Sequence, residues 1–306
     1  MVQWNLGDIC NPEETEKMID DAKIVVETIK KKKEFLNEEI SDEEFLSIIH
    51  DMEKLTDVTS KLGGYAEMWL SENTNDSERT AFYAQISQML TDLGNETLFF
   101  NIWFKNVSDE TAQRLIDADP QYSYMLRTIR KLRKYTLEER EEQIMNLKDL
   151  TGTEALTNLY DIVTNKFTWE FEGKTLTQEE MTQYYRNYDG KKREQVYEMV
   201  LSRYAEEEAV LGEIYKNIAS DWRNENIKLR GFETPIQVRN IGNDVPDEAV
   251  KNLMNVVRKN KYLFNEYMKL KFSLLGIERP KRTDLYAPRE KEEDKYTYKE
   301  AQDLVL

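Results

Sequence analysis

From Lys191 to Lys228 the chain repeats apolar residues at helical spacing with no proline to stop it: Val196, Val200, Tyr204, Leu211, Ile214, Ile218 and Trp222. A pattern of that length commits the segment to helix, since a strand would need alternation by two. The rest of the chain is similarly short of breakers, with 11 Gly and 6 Pro in 306 residues. Charged residues make up 33% and hydrophobic ones 40%, a mix suited to long helices whose outer faces meet water. The expected fold class is therefore mainly α, a multi-helical bundle in layers, large enough for two domains.

The first 70 residues predict a helical hairpin. Asn11 and Pro12 suit a helix start, and Met18, Ala22, Val25, Ile29 and Leu36 follow at helical spacing. Ser41 and Glu44 have the spacing of a capping box. Phe45, Ile48, Met52, Leu55, Thr59 and Leu62 then alternate by three and four, a narrow seam for a partner helix, until Gly63-Gly64 is expected to break or loosen it. A third helix is expected from about Asp76 to Asp92. The aromatic run Leu98 to Phe104 after it reads as core rather than ligand pocket, because aromatic side chains bury the most surface. Ser108 opens another helix that Asp119-Pro120 ends, and a domain boundary is expected there, giving 1–107 and 108–306. Lys166 to Leu176 is the one β signal: Lys-Phe-Thr-Trp-Glu-Phe alternates, Glu172-Gly173-Lys174 turns, and Thr177 with Glu180 caps the next helix. Asp247 to Leu274 reads as a further long helix, closed by Gly276 and Pro280. Tyr298, Ala301, Gln302 and Val305 begin an amphipathic helix just before Leu306, which suggests a chain cut from a larger protein.

Charge and composition exclude several functions. Lys plus Arg is 43 against 59 Asp plus Glu, a formal net charge of −16, so nucleic acid and anionic membrane are not expected partners. The basic run Arg127 to Lys134 is read as the solvated side of a helix. Cys10 stands alone, which suits a reducing interior, and no apolar run approaches the ~20 residues of a membrane span, so the expected location is cytoplasmic. His50 is the single histidine and is read as a surface residue. Glu206-Glu207-Glu208 points to different faces of its helix and is read as solvated. No phosphate loop, dinucleotide fingerprint or nucleophile elbow is present.

Several separated pieces nevertheless share one order. They are Leu147 to Gly152, Leu159 to Ile162, the hairpin with Leu176-Thr177, Asp189 to Arg193, Arg230-Gly231-Phe232, Asn243 to Pro246, and Asp284-Leu285-Tyr286-Ala287-Pro288. In this order, over roughly Ile102 to Leu306, they resemble the zinc metallopeptidases of the oligoendopeptidase F family. The first 95 or so residues fit that family's amino-terminal lobe as a pattern of helices. The resemblance implies the amino-terminal part of a zincin-like oligopeptidase shell that hydrolyses short peptides in a helical chamber. It also implies zinc held by a His-Glu-x-x-His helix, and this chain, with one histidine, has no such motif. The expectation is thus a catalytically silent portion of a zinc peptidase, without catalytic or metal residues of its own. Arg230, Arg239 and Tyr286 are its candidate chamber residues, because they flank turns near the absent region. Self-association through the face that would meet that region is a further expectation. The alternative is an autonomous helical binding or scaffold protein that keeps the fold without the chemistry.

Overall fold

The computed structural model describes residues 4–291 and 296–306, and contacts gather them into two compact units. Unit 1 comprises residues 1–165 and 214–244, and unit 2 comprises 166–213 and 245–306. The chain is mainly helical, with a single two-stranded sheet among the described residues.

In unit 1, Asn11 and Glu14 form a capping box around a short 3-10 turn at Pro12, which leads into α1 (Thr15–Lys31). Its buried apolar positions are Ala22, Val26 and Ile29, one turn apart on one face. The Ser41 and Glu44 side chains form the expected capping box of α2 (Asp42–Glu72). This helix does not break at Gly63-Gly64. Leu62, Tyr65 and Ala66 continue the buried face across the pair, and a Cβ on Gly63 would lie 3.1 Å from Leu90 Cδ1. Gly63 thus permits close approach of the next helix rather than a bend.

That helix, α3 (Ser77–Asn106), also outlasts its expected end at Asp92 and carries the aromatic run within it. Phe99, Phe100 and Phe104 are buried, and Phe45 of α2 lies 6.0 Å from the Phe100 ring and 5.8 Å from Phe104. Each such ring contributes about 1.5–3 kcal/mol by leaving water. The same core takes in Leu115 and Ile116 of α4 (Asp109–Asp117) and Tyr122 and Leu126 of α5 (Pro120–Lys131). The compact units therefore do not divide at 107/108: one hydrophobic core spans that position.

Arg130, within the run read as solvated, turns inward. Its Nη1 donates to the carbonyls of Phe104, Lys105 and Val107 at 3.0, 3.0 and 2.9 Å, satisfying the otherwise unpaired end of α3. The helices α6 (Glu139–Thr151) and α7 (Thr153–Thr164) follow, and Asn146 Nδ2 donates to Asn95 Oδ1 of α3 at 2.8 Å.

Unit 2 opens with the hairpin, β1 (Trp169–Phe171) and β2 (Lys174–Leu176), paired antiparallel with Trp169 opposite Leu176. Both turn residues have positive φ, Glu172 at 52° and Gly173 at 75°, the conformation a tight two-residue hairpin requires. Such a hairpin needs support, and Trp169 Nε1 supplies some by donating to Met199 O at 3.1 Å. Thr177 and Glu180 cap α8 (Gln178–Gln183) as expected. The long helix read from Lys191 to Lys228 is in fact three pieces: α9 (Gly190–Glu206), α10 (Glu208–Arg223) and a π-helical segment, Asn224–Leu229. The last two bring the chain back into unit 1, where Gly231, at φ 75°, ends the run and Thr234 caps α11 (Pro235–Gly242).

Back in unit 2, α12 (Asp247–Leu274) has no buried residue, and α13 (Tyr298–Val305) ends the chain. One broad side of α12 exposes Leu253, Val256, Val257, Leu263, Phe264, Tyr267, Leu270 and Leu274. Among the described residues, no helix is long and apolar enough to cross a membrane.

Candidate functional site

The three sequence candidates fall in different surroundings. Arg239 is exposed on α11 in unit 1. Arg230, also in unit 1, is largely withdrawn from solvent and committed to carboxylates. Its Nη1 and Nη2 donate to the two oxygens of Glu142 at 2.6 and 2.8 Å, and its Nε to Glu225 Oε1 at 2.7 Å. Burial pushes the Glu142 carboxyl upward, but the guanidinium and the Leu137 N–H outweigh that and hold it below its ordinary value. The π-helical turn produces this arrangement by carrying Glu225 to the Arg230 side chain. Just beyond it, Phe232 stacks on Tyr135 with ring centroids 3.7 Å apart. Asp149 stands near this cluster without sharing the arginine, and burial, then Glu225 and Asp221, raise its pKa.

Tyr286 sits on the wall of an open groove in unit 2, and the groove is built on one buried arginine. Arg193, in the first turn of α9, is 3% exposed along its side chain. Its Nη2 donates to Asp284 Oδ1 at 2.6 Å, its Nε to Thr283 O at 3.0 Å, and its Nη1 to Asn187 O and Tyr188 O at 2.7 and 2.9 Å. Asp284 is the last residue of a 3-10 turn, Arg282–Asp284, and its other oxygen accepts the Lys281 N–H at 2.8 Å. Burial works against the Asp284 charge, yet the Lys281 N–H and Arg193 hold its carboxyl below the usual range. One guanidinium thus fixes the loop after α8, the start of α9 and the Asp284 to Pro288 segment to one another.

Those fixed segments present tyrosines. Tyr184, Tyr185 and Tyr188 from the loop and Tyr286 and Pro288 from the opposite segment line a groove of about 1230 Å³. Tyr188 and Tyr286 are 59% and 54% exposed, which leaves their rings free to meet a ligand. A smaller cavity of about 80 Å³ opens beside it, and Tyr185 and Tyr286 belong to both. The Tyr185 and Tyr197 rings lie 5.7 Å apart in its wall, and burial, with Tyr197, raises the Tyr185 pKa. The Tyr185 phenol therefore stays protonated at neutral pH and can donate a hydrogen bond. Sequence reasoning singled out Tyr286 but missed its partners. The signal available was Tyr184-Tyr185-Arg186-Asn187-Tyr188, which packs three tyrosines into one short turn.

The residues present do not fit a zinc centre. Among the described residues, no group of three or more His, Cys, Asp or Glu is gathered as a metal ion requires. His50 is exposed, edge-on to Tyr122, and Cys10 is buried beside Met18. The arrangement can bind and orient a ligand through aromatic faces, hydroxyls and cations.

A family profile described as Oligopeptidase F matches residues 103–169. The oligoendopeptidase F homolog of Borreliella burgdorferi is 22% identical over 94% of this chain and 48% of its own length. The oligopeptidase PepF of Bacillus subtilis is 21% identical over 99% of this chain and 46% of its own. In the crystal structure of oligoendopeptidase-F from Enterococcus faecium, the same fold recurs with a TM-score of 0.77, at 19% identity, over 91% of this chain and 56% of that one. The chain spans about half the length of the curated relatives it matches. The profile match, the relatives and the ordered sequence pieces all point to one family, oligoendopeptidase F, as what this chain is similar to.

Proposed function

We propose that this chain forms helical walls of a peptide chamber in a zinc oligopeptidase that hydrolyses short peptides, and that it is silent without the rest of that enzyme. The observation that carries the reading is the half-length match: the fold of a solved oligoendopeptidase is reproduced over 91% of this chain but only 56% of the relative. The second supporting fact is that one histidine cannot supply the paired imidazoles of a His-Glu-x-x-His site. Zinc, in this reading, belongs to residues outside these 306, where it would polarise the scissile carbonyl and activate water. The chain's own part is to hold the substrate and limit its size. Tyr286 and Arg239 are its exposed candidates for substrate contact, while Arg230 holds the wall together. A lone thiol in a chain without other cysteines favours a cytoplasmic, reducing setting.

The exposed side of α12 favours this reading over an autonomous scaffold. Eight large apolar residues lie exposed along one broad helical face, the kind of surface that marks a protein contact. The purified chain, assayed with internally quenched peptides of five to ten residues and added zinc, should show no turnover that a chelator abolishes. Chelator-sensitive hydrolysis that copurifies with the chain through successive columns would sink the claim of silence.

A further inference from the structure

We propose that the tyrosine groove of unit 2 binds the free carboxylate end of a short peptide, with Arg282 as its counter-charge in the side cavity. The inference rests on the reading of this chain as part of a peptide chamber and assigns one wall of it a specific task.

Three features point to that ligand. First, the side cavity has the size of a terminal group. About 80 Å³ is the volume of two or three waters at ~30 Å³ each, enough for a carboxylate and too little for a large side chain. Second, its charges are unequal in availability. Arg193 in the floor is saturated by Asp284 and three carbonyls, whereas Arg282 makes no ion pair among the described residues and lies 5.9 Å from the Tyr286 ring. In a chain of net charge −16, an arginine left without a carboxylate beside a cavity is a specific invitation to an anion. The phenols of Tyr185, Tyr197 and Tyr286, which line the same cavity, can donate to the second carboxylate oxygen. Third, the adjoining groove suits an uncharged extended chain. Tyrosine faces accept peptide groups and apolar side chains alike, and they lose little entropy in doing so.

Isothermal titration of the full chain with acetyl-Ala-Ala-Ala-Ala-Phe as the free acid and as the C-terminal amide tests the assignment. The acetyl group removes the amine, so only the carboxyl end differs. The acid should bind at least ~10-fold more tightly than the amide, the scale of one charge-assisted hydrogen-bonded pair. Arg282→Gln should bring the acid down to the affinity of the amide, and Arg282→Lys should restore part of the difference. Arg127→Gln, an exposed position in the other unit, should change neither. Circular dichroism should show the Arg282 variants folded, because Arg193 and Asp284 are untouched. Equal binding of acid and amide, preference for the acid that survives Arg282→Gln, or no binding of either peptide would each overturn the proposal. Equal binding would leave the chamber-wall reading standing, since that reading is judged by chelator-sensitive activity and not by carboxylate preference.

Discussion

Replacing Arg230 by Met should destabilise unit 1 by about 3–5 kcal/mol. The magnitude follows from what the guanidinium leaves behind. It makes both bonds to Glu142, one to Glu225, and a longer one of 3.2 Å to the Tyr135 carbonyl. The Glu142 and Glu225 side chains are 11% and 16% exposed, so neither carboxylate regains full hydration when the cation goes. Each charged hydrogen bond contributes about 1.5–3 kcal/mol, but the losses do not add, because Glu142 keeps the Leu137 N–H and Met fills most of the vacated volume. The appropriate assay is urea unfolding followed by far-UV ellipticity, with Glu142→Gln and the double variant completing a cycle. A coupling energy near 2 kcal/mol is expected at pH 7. The sign with pH is fixed by the direction of the Glu142 shift. Its folded pKa lies below its unfolded one, so the stabilisation is present above the unfolded value of about 4.3 and disappears as pH falls through the folded value. The wild-type advantage over Glu142→Gln should therefore shrink only on the acid side. A variant Arg230→Met within 1 kcal/mol of wild type, or a coupling that stays constant from pH 7 to pH 3, would show that the cluster is a solvated coincidence.

Other substitutions probe neighbouring arguments. Asp149→Asn should raise the melting temperature at pH 7, because burial and two nearby carboxylates disfavour the Asp149 charge, and the gain should vanish below the ordinary aspartate range near ~3.9. Tyr135→Phe should cost less than about 1 kcal/mol or stabilise, since the Tyr135 hydroxyl is buried with no hydrogen-bond partner among the described residues; a loss of 2 kcal/mol would reveal a partner. Gly64→Ala should stabilise α2 by about 0.5–1 kcal/mol, while Gly63→Ala should gain less because its methyl meets Leu90; thermal melts of the pair decide it, and equal gains would remove the close-approach argument. Phe264→Lys should reduce binding of a hydrophobic dye while shifting stability by no more than about 0.5 kcal/mol, as expected for a side chain 58% exposed.

What could be read from the residues was mostly local. The capping boxes at Ser41 and Thr177 and the turn at Glu172-Gly173 depend on neighbours a few positions away, so their side-chain chemistry is written in short stretches. Errors arose where a distant partner decided the outcome. Gly63-Gly64 looks like a break until α3 is present to pack against it, and Arg130 looks solvated until the open end of α3 draws it in. The compact units were hidden for the same reason: residues 214–244 join a core begun more than a hundred positions earlier, and no local signal marks that return. The groove beside Tyr286 is likewise hidden in any short stretch, because it requires Arg193 to bring two remote segments together.

The sequence pieces that carry the family likeness acquire a physical meaning from these arginines. Arg230-Gly231-Phe232 supplies both the guanidinium that clamps Glu142, 88 positions away, and the ring that stacks on Tyr135. Asp189 to Arg193 and Asp284 to Pro288, two further pieces, are joined by the Arg193–Asp284 pair across 91 positions. These three pieces thus fall on buried ion pairs linking segments remote in sequence, and such a pair tolerates little change, since removal of one member strands a charge in a poorly hydrated place. This separates two kinds of residue within the same motifs. Arg193, Asp284 and Arg230 hold the walls, and their substitution should first be seen in stability. Tyr286, two residues beyond Asp284 and more than half exposed, is free of such duty. Tyr286→Ala should therefore leave the unfolding midpoint within about 0.5 kcal/mol of wild type and yet weaken peptide binding. If it instead destabilises the protein as much as Asp284→Asn should, Tyr286 belongs to the scaffold and the groove loses its principal contact.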